Sequence, residues 1–571
     1  MRGLSGGIRL APALAAVLLI GGCTAGDPRD DDPVVAQSAI GSYLAAGHAQ
    51  MIHDYKDAAA FLDRALAADG GNYDLVRHTF LLRVSDGHVA EAVPLAQQIV
   101  DIDGRTGLAG LVLLEQELKA GKYDAVVKDA QAMPRDGAQR FAVPLLLAWA
   151  EAGRGQFGPA LQALDGMNGV AGIQPLHDLH TALIEDFTDR VAEATASYQK
   201  LTGGAQPPTW RLAELAGNFY ERHGKTDDAK QLYQRVGSDQ GTVDVGAAGR
   251  ARIAQGTVPP RVIATPADGA AEGMFDLAGL LNAPETADAA LVYARLALDL
   301  APHFALAEML VAEIRDGQER PADALALYEA VDPQSPYAWM AQLRTALELD
   351  TLGRTDDAVS RLRALAAARP TRAEPLMEEG DILRGHERFS DAVQAYNAAA
   401  ERLPDPQRGD WRLFYSRGVA EERSGEWPRA EVDLKRALAL QPDQPLVLNY
   451  LGYSWIDKGK NFDDALGMIR RAVDLRPNDG YIVDSLGWAY FQLHDYGHAT
   501  EYLERAIELL PEDPTINDHL GDAYWRSGRL PEARYQWQRA LQFQPEATEV
   551  QGIKTKLDRG LGALQPTVRG G

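Results

Sequence analysis

The chain has 571 residues, of which 46% are hydrophobic and 24% are charged, so its composition is that of a folded protein and not of a disordered one. Its 81 acidic residues outnumber 57 basic residues, and the net charge of −24 argues against nonspecific binding to nucleic-acid phosphates. One cysteine in the whole chain excludes a disulfide framework and a thiolate metal cluster.

The first 22 residues have the pattern of an export signal. Arg2 and Arg9 accompany an apolar run, Leu10 to Ile20, that is too short to span a bilayer as a permanent helix. The run ends in Ile-Gly-Gly immediately before Cys23, the sole cysteine. This arrangement resembles the lipobox of bacterial lipoproteins, in which the signal is cut before the cysteine and the thiol is lipidated. The alternative is a plain secretory signal with an incidental cysteine.

Residues 23–38 are predicted to form a spacer between the lipid and the fold. They include the acidic run DPRDDDP at 27–33, which is typical of disordered chain. Thr24 follows the cysteine, and the resemblance to Gram-negative lipoproteins then implies the outer membrane, since Asp at this place tends to mean retention in the inner membrane. No later stretch approaches the roughly 20 apolar residues of a transmembrane helix, so we expect membrane attachment by the lipid alone, with the protein on the periplasmic face.

The rest of the chain repeats one motif. The segment DSLGWAY at 484–490, followed by Ala499, Ala506 and Pro511, returns as DHLGDAY at 518–524, with each anchor moved by 34 residues. This resembles the tetratricopeptide repeat, a pair of antiparallel helices. The resemblance implies an all-α superhelical solenoid, in which the glycine and the first alanine lie where the two helices cross. The crossing alanine is traced through fourteen units: Ala58, Ala92, Ala125, Ala160, Ala194, Ala229, Ala290, Ala324, Ala358, Ala392, Ala430, Ala465, Ala499 and Ala533.

The spacing of these units predicts the domain organisation. Six degenerate repeats occupy 39–236, a connector rich in Gly, Ala and Pro covers 237–270, and eight repeats occupy 271–545. A polar capping helix and tail, 546–571, follow. No segment remains for a catalytic domain, so we expect a binding scaffold with no cofactor, and we expect that it is not an enzyme.

Two patterns that suggest chemistry fail on their context. The sequence GRGQFG at 153–158 fits a dinucleotide-binding loop, but it follows a helical stretch and not a strand. His177 and His180 could share one helix face, and without a third ligand a solvated face is the favoured interpretation over a metal site.

In tetratricopeptide proteins the first helix of each unit lines a groove, chiefly through positions 2, 5, 9, 12 and 13. Counting these positions in the last units predicts a groove of rings and acidic or amide side chains, which suits a peptide backbone and its side chains. The alternative is that neighbouring repeats bury these rings in their stacking. The groove lacks the position-5 lysine of a carboxylate clamp. The predicted groove residues are Tyr415, Asn449, Tyr453, Tyr481, Asp484, Trp488, Phe491, Asp518, Asp522 and Trp525.

Signal and repeats together resemble the tetratricopeptide-repeat outer-membrane lipoproteins of proteobacteria (the LbcA type), most distinctively over 447–455, 480–488 and 514–522. That resemblance implies an adaptor that links a periplasmic carboxyl-terminal processing protease to its substrates. A structural role in assembling envelope, pilus, secretion or exopolysaccharide machinery is the alternative. We expect proteins or peptides as partners, and no nucleic acid.

Overall fold

The computed structural model describes residues 38–170, 172–236 and 245–562. The predicted signal, the predicted lipidation site Cys23 and nearly all of the predicted spacer lie outside these residues. Within them the chain is entirely helical, with thirty α-helices, two short 3-10 helices and no strand. No helix in this part combines the length and apolarity that crossing a bilayer needs.

The chain forms two compact units, Met1–Ala364 (unit 1) and Leu365–Gly571 (unit 2). The helices of unit 1, with α19 running into unit 2, are α1 (Ala39–Met51), α2 (Tyr55–Ala68), α3 (Tyr73–Asp86), α4 (Val89–Asp103), α5 (Gly107–Lys119), α6 (Tyr123–Ala132), α7 (Gln139–Gly153), α8 (Phe157–Asp165), α9 (Gln174–Phe187), α10 (Val191–Thr202), α11 (Trp210–Arg222), α12 (Thr226–Val236), α13 (Val245–Gln255), α14 (Pro266–Leu281), α15 (Ala287–Leu300), α16 (Ala305–Gly317), α17 (Pro321–Ala330), α18 (Ala338–Thr351) and α19 (Thr355–Ala368).

The helices of unit 2 continue the series without a change of pattern. They are α20 (Glu374–Gly385), α21 (Phe389–Glu401), α22 (Trp411–Arg423), α23 (Trp427–Leu440), α24 (Pro445–Asp457), α25 (Phe462–Leu475), α26 (Gly480–Gln492), α27 (Tyr496–Leu509), α28 (Pro514–Arg526), α29 (Leu530–Gln542) and α30 (Ala547–Arg559).

Apart from α13 and α30, the helices follow one another as fourteen helix-turn-helix units, from α1–α2 to α28–α29. The two helices pack against each other in thirteen of these units, and the unit α18–α19 spans the boundary between the two compact units. The prediction of an all-α solenoid of about fourteen helix-turn-helix units is confirmed. The turn inside every pair except the seventh contains a residue in the left-handed region, which lets the chain reverse within two to four residues. Glycine occupies most of these turns, whereas His53, Asp189, Glu319, Glu387 and His494 occupy the others.

The crossing point of the third pair corrects the sequence register. The prediction of Ala125 there is wrong, because Ala125 is only partly buried while Val126 is fully buried. Val126 also stands three residues after the first residue of its helix, as Ala58 and Ala92 do in theirs. A valine at the crossing requires more room between the helices than an alanine does.

The crossing glycines of unit 2 are required by direct contact between the paired helices. A Cβ atom on Gly487 would lie 2.6 Å from Cγ of Leu503, and one on Gly452 would lie 2.8 Å from Cγ1 of Ile469. Real Cβ atoms essentially never come this close to another heavy atom. Each large partner stands four residues after its crossing alanine, so one helix presents a hollow to the bulge of the other.

In unit 1 the first helices of several pairs do not face solvent, because later helices of the same chain cover them. Helix α14 packs on α5, α7 and α9, and helix α15 packs on α3, α4 and α5. The approach is close, since a Cβ on Gly269 of α14 would collide with the ring of Trp149 in α7. We call the surface of α3, α4, α5, α7 and α9 that α14 and α15 cover the filled face.

Polar contacts fix α14 and α15 to the filled face. Glu272 of α14 is completely buried and accepts hydrogen bonds from Arg211 of α11 at 3.0 and 3.1 Å from Nε. On α15, Asp288 accepts from the hydroxyl of Tyr55 at 2.8 Å, and Asp299 accepts from Lys119 Nζ at 2.8 Å. A ligand could reach this face only by displacing well-paired helices of the chain itself.

The histidine pair of α9 lies under the same helices. His180 is fully buried, accepts a hydrogen bond from Trp149 Nε1 at 3.0 Å and faces Asp276 of α14 at 3.3 Å. The interpretation of a solvated face is therefore wrong for His180, because α14 covers it. His177, one helical turn earlier, is partly buried.

The compact units follow a different division from the predicted repeat blocks. The sequence places the break in the connector 237–270, but helix α14 begins at Pro266, inside that range, and α14 to α16 pack into unit 1. Helix α13 also lies within the connector and packs on α11 and α12. Coverage of the filled face, and not the spacing of the repeats, places these helices in the first unit.

We predict that Gly487→Ala lowers the free energy of unfolding of unit 2 by about 1–3 kcal/mol, because the new methyl group meets Leu503. The matched control is Gly467→Ala in α25, where nothing lies within 4 Å of the added Cβ. That change should stabilise by up to about 1 kcal/mol through helix propensity. Urea unfolding followed by circular dichroism measures both, and equal effects would contradict the crossing argument.

We predict that Glu115→Gln raises the melting temperature more at pH 8 than at pH 5. Burial, followed by the neighbouring Asp299 carboxyl, raises the pKa of Glu115 well above its usual value. A raised pKa contributes stability that is complete below the unfolded-state pKa and is lost as pH rises through the folded value, so the ionised form at pH 8 carries the cost. Gln keeps the neutral form at every pH. The exposed Glu285→Gln is the control, and a Glu115→Gln effect that is the same at both pH values would refute the assignment.

Candidate protein-binding surface

The ten predicted groove residues lie on the first helices of unit 2, namely α22, α24, α26 and α28. Tyr481 is 61% exposed, whereas Asp484 and Asp522 are buried and the other seven are partly buried. Among the described helices of unit 2, packing joins helices that are next or next but one along the chain. Within their own unit, the first helices of unit 2 thus carry no helix comparable to α14, apart from the capping helix α30, which contacts α28 through Lys556 and Gly560.

Rings from two successive repeats stack at the middle of this surface. Trp488 of α26 stacks on His519 of α28, with centroids 4.0 Å apart and planes 18° apart. Its indole also stacks on Phe491, with centroids 4.9 Å apart and planes 12° apart. Three flat side chains therefore form one layer, in which Trp488 remains partly exposed. Repeat stacking buries part of each ring and leaves part available.

An ion pair joins His519, one of the stacked rings, to Asp484. Asp484 accepts hydrogen bonds from Nδ1 of His519 at 3.0 and 3.1 Å. Burial alone lowers the pKa of His519, but the charge and hydrogen bond of Asp484, helped by Asp518 and Asp522, raise it overall above the usual histidine value. The imidazolium form is thereby favoured, and it holds α28 to α26.

The capping helix supplies a second counter-charge. Lys556 of α30 donates to Asp518 Oδ2 at 2.6 Å and to Asp522 Oδ2 at 2.8 Å. The other oxygen of Asp522 accepts from Nε1 of Trp537 at 2.9 Å. Burial raises the pKa of Asp522, and Lys556 opposes that rise. Together with the stacked rings, these contacts join eight residues of α26, α28, α29 and α30: Asp484, Trp488, Phe491, Asp518, His519, Asp522, Trp537 and Lys556.

The remaining predicted rings have different surroundings. Trp525 lies against Trp537, with centroids 5.4 Å apart, and Gly560 at the end of α30 approaches its ring so closely that a Cβ there would collide. Tyr415 contacts Trp411 and Tyr450, each with centroids 6.0 Å apart, and so belongs to another ring group.

The two remaining predicted tyrosines, Tyr453 and Tyr481, differ in their exposure. Burial, with help from nearby acidic residues such as Asp484, raises the pKa of Tyr453 to about 12. Tyr481 borders a surface depression of about 480 Å³ at the start of α26. The depression is lined by Arg476, Pro477, Asn478, Asp479, Gly480, Tyr481 and Leu510. Tyr481 is therefore the predicted ring that a partner could reach most easily.

Two buried acceptor atoms in this region have no hydrogen-bond partner among the described residues. They are Oδ1 of Asn449 in α24 and Oδ1 of Asp518 in α28. A buried polar atom without a partner costs free energy, so these two oxygens oppose the stability of the surface. Across the described ranges, no three His, Cys, Asp or Glu side chains are grouped so that they could hold a metal ion.

Sequence reasoning missed His519, Trp537 and Lys556. His519 occupies position 6 of its helix, which the groove pattern does not count, and Trp537 belongs to a second helix. Lys556 lies in the segment that the sequence treats only as a solvating cap. A lysine in the cap, in a chain whose last groove positions are acidic, is the one signal that could have suggested the pairing.

Comparison with known proteins finds a family match in the C-terminal part of the described chain. Residues 343–406, 415–480 and 485–548 match the family model described as tetratricopeptide repeat. These three segments are similar to tetratricopeptide repeats. The chain is similar to the TPR repeat-containing protein PA4667 of Pseudomonas aeruginosa, with 30% identity over 204 residues, which are 36% of this chain and 33% of the relative. The match thus spans about a third of the relative's length.

Solved structures with similar helical repeats cover most of the chain. The hetero-tetramer Cut9–Hcn1 of the APC/C aligns over 92% of this chain and 97% of its own, with 15% identity and a TM-score of 0.38. Yeast Tom70 aligns over 91% of this chain and 95% of its own, with 14% identity and a TM-score of 0.34. Likeness at these TM-scores says nothing about a partner.

We predict that Lys556→Met destabilises unit 2 by about 2 kcal/mol at pH 8, because Asp518 and Asp522 lose their shared counter-charge. The raised pKa of Asp522 means that its carboxyl takes up a proton as pH falls, so the loss should be smaller at pH 5. Lys554→Met, an exposed change on the same helix, is the control for denaturant unfolding at both pH values. Equal losses for the two variants would contradict the role of Lys556.

Proposed function

We propose that this protein is a lipid-anchored, non-enzymatic scaffold of a bacterial envelope. Its partners would bind along the first helices of unit 2. The observation that carries the proposal is the contrast between the two units: α14 and α15 occupy the corresponding face in unit 1, whereas in the described part of unit 2 only the capping helix α30 approaches that face, near Asp518, Asp522 and Trp525. Tetratricopeptide repeats generally mediate protein–protein interaction, which agrees with this use of the surface.

The chemistry of the surface suits a polypeptide. The ring of Tyr481 and the partly exposed indole of Trp488 offer flat apolar contacts for side chains. The partly exposed side chains of Asn449 and Asp518 add polar groups beside these rings for hydrogen bonds with backbone N–H groups or a basic side chain. An extended segment that carries both donors and apolar groups would engage both features.

The proposed location rests on the N-terminal sequence. Cys23 would carry the lipid, and Thr24 favours the outer membrane, as in the lipoproteins that the signal resembles. Within the envelope, the partner that this resemblance suggests is a carboxyl-terminal processing protease together with its substrates. The scaffold would then hold protease and substrate near each other and raise their effective concentration.

The test is capture of partners from envelope extract by a signal-free chain carrying Cys23→Ala. A second bait adds Tyr481→Ala and Trp488→Ala, and a third bait adds Tyr535→Ala, an equally exposed ring on the second helix α29. We expect the first and third baits to retain a processing protease and the second bait to lose it. Circular dichroism checks that all three have the same helicity.

Each other result has a definite meaning. Capture of export, pilus or exopolysaccharide components, lost in the second bait, would keep the scaffold and replace the protease by the assembly role. Identical capture by all three baits would contradict the assignment of binding to unit 2. A hydrolytic activity of the purified protein that one point substitution abolishes would contradict the non-enzymatic assignment.

A further inference from the structure

Helix α1, the first helix of the described residues, exposes its large apolar residues and does not pack them against the following helices. Its buried positions against the following helices are small: Ser42, Ala46 and Ala49. The large apolar residues of the segment are instead exposed, namely Ile40 (74%), Tyr43 (49%), Leu44 (66%), Met51 (74%) and Ile52 (49%). Ile40, Leu44 and Met51 are spaced by four and seven residues, so they share one helix face. We call this surface the α1 face.

The α1 face is also uncharged. No Asp, Glu, Lys or Arg occurs between Asp32 and Asp54, in a chain of which 24% of residues are charged. Few large apolar side chains are so exposed elsewhere in the described residues, and they are mostly scattered singly. Clustered apolar exposure without charge marks a surface that something apolar covers.

A second copy of the chain fits this face poorly. Helix α1 has 13 residues, so it is about 20 Å long, and at a width of about 10 Å its contact footprint is about 200 Å². Stable protein–protein interfaces bury about 800 Å² per partner. Each copy would also carry a net charge near −24, which opposes association.

A lipid surface fits the face better. Helices with an exposed apolar side lie in the bilayer interface with that side at the boundary of headgroups and acyl chains, and a protein held by one lipid chain needs a second membrane contact for stable attachment. Cys23 precedes Ala39 by 16 residues, so the proposed anchor lies close to α1 along the sequence. We infer that the α1 face docks on the bilayer that carries the proposed anchor, and so orients unit 1 on the membrane.

The inference uses the proposed anchor only for proximity, and the test replaces that anchor. A signal-free chain carrying Cys23→Ala and an N-terminal hexahistidine tag is held on vesicles of phosphatidylethanolamine, phosphatidylglycerol and a nickel-chelating lipid. Leu44→Cys supplies a single thiol for the polarity-sensitive fluorophore NBD. The matched control is Tyr535→Cys, since Tyr535 is 68% exposed but lies on α29 of unit 2.

We expect the NBD emission at residue 44 to rise several-fold and to shift to the blue on vesicles, while the emission at residue 535 stays unchanged. Adding Ile40→Gln and Met51→Gln should remove the rise at residue 44, with unchanged helicity. No rise at residue 44 would overturn the inference. Blue-shifted emission without vesicles, together with a dimeric mass in sedimentation equilibrium, would also overturn it and would assign the face to a second copy. Neither outcome bears on partner capture by unit 2, so failure of one proposal leaves the other testable.

Discussion

The close crossing of two helices within each pair is the constraint on which the rest of this structure depends. At Gly487 the backbone of one helix approaches Leu503 of the other so closely that a single methyl group would not fit. Because small residues recur at this crossing, the helices pair at nearly the same geometry each time, and successive pairs stack in register. The stacking then brings the first helices side by side, which is what creates an extended face for binding.

The two units use that face in different ways. In unit 1 the chain covers the face with α14 and α15 and secures them with buried polar contacts, such as that between Glu272 and Arg211. In unit 2 this face carries stacked aromatic rings. The carboxyl group of Asp484 is paired with His519, and that of Asp522 is paired with Lys556. A buried charge is costly unless it is paired, so these pairs stabilise the repeats against one another while Tyr481 stays exposed.

Register along the repeat predicted much of the candidate surface. Asp484, Trp488 and Phe491 were named from their positions in one helix, and the structure groups them with Asp522 through His519 and Lys556. Tyr415 was named by the same reasoning but contacts Trp411 and Tyr450 instead, because ring partners depend on side-chain direction as well as on position. Ala125 was misplaced by one residue for a related reason: a degenerate repeat offered an alanine beside the valine that is buried at the crossing.

The sequence by itself determined the helical pairs, their number and all but one of the residues at their crossings, because these features depend on contacts between residues close along the chain and recur every 34 or so positions. Only the tertiary structure decided which first-helix faces are covered. The pairing of Glu115 with Asp299, or of Tyr55 with Asp288, joins residues far apart in the sequence, and no local pattern records it. An apolar first-helix face has the same composition whether its neighbour is another part of the chain, a bilayer or a partner protein, so the pattern alone cannot distinguish them.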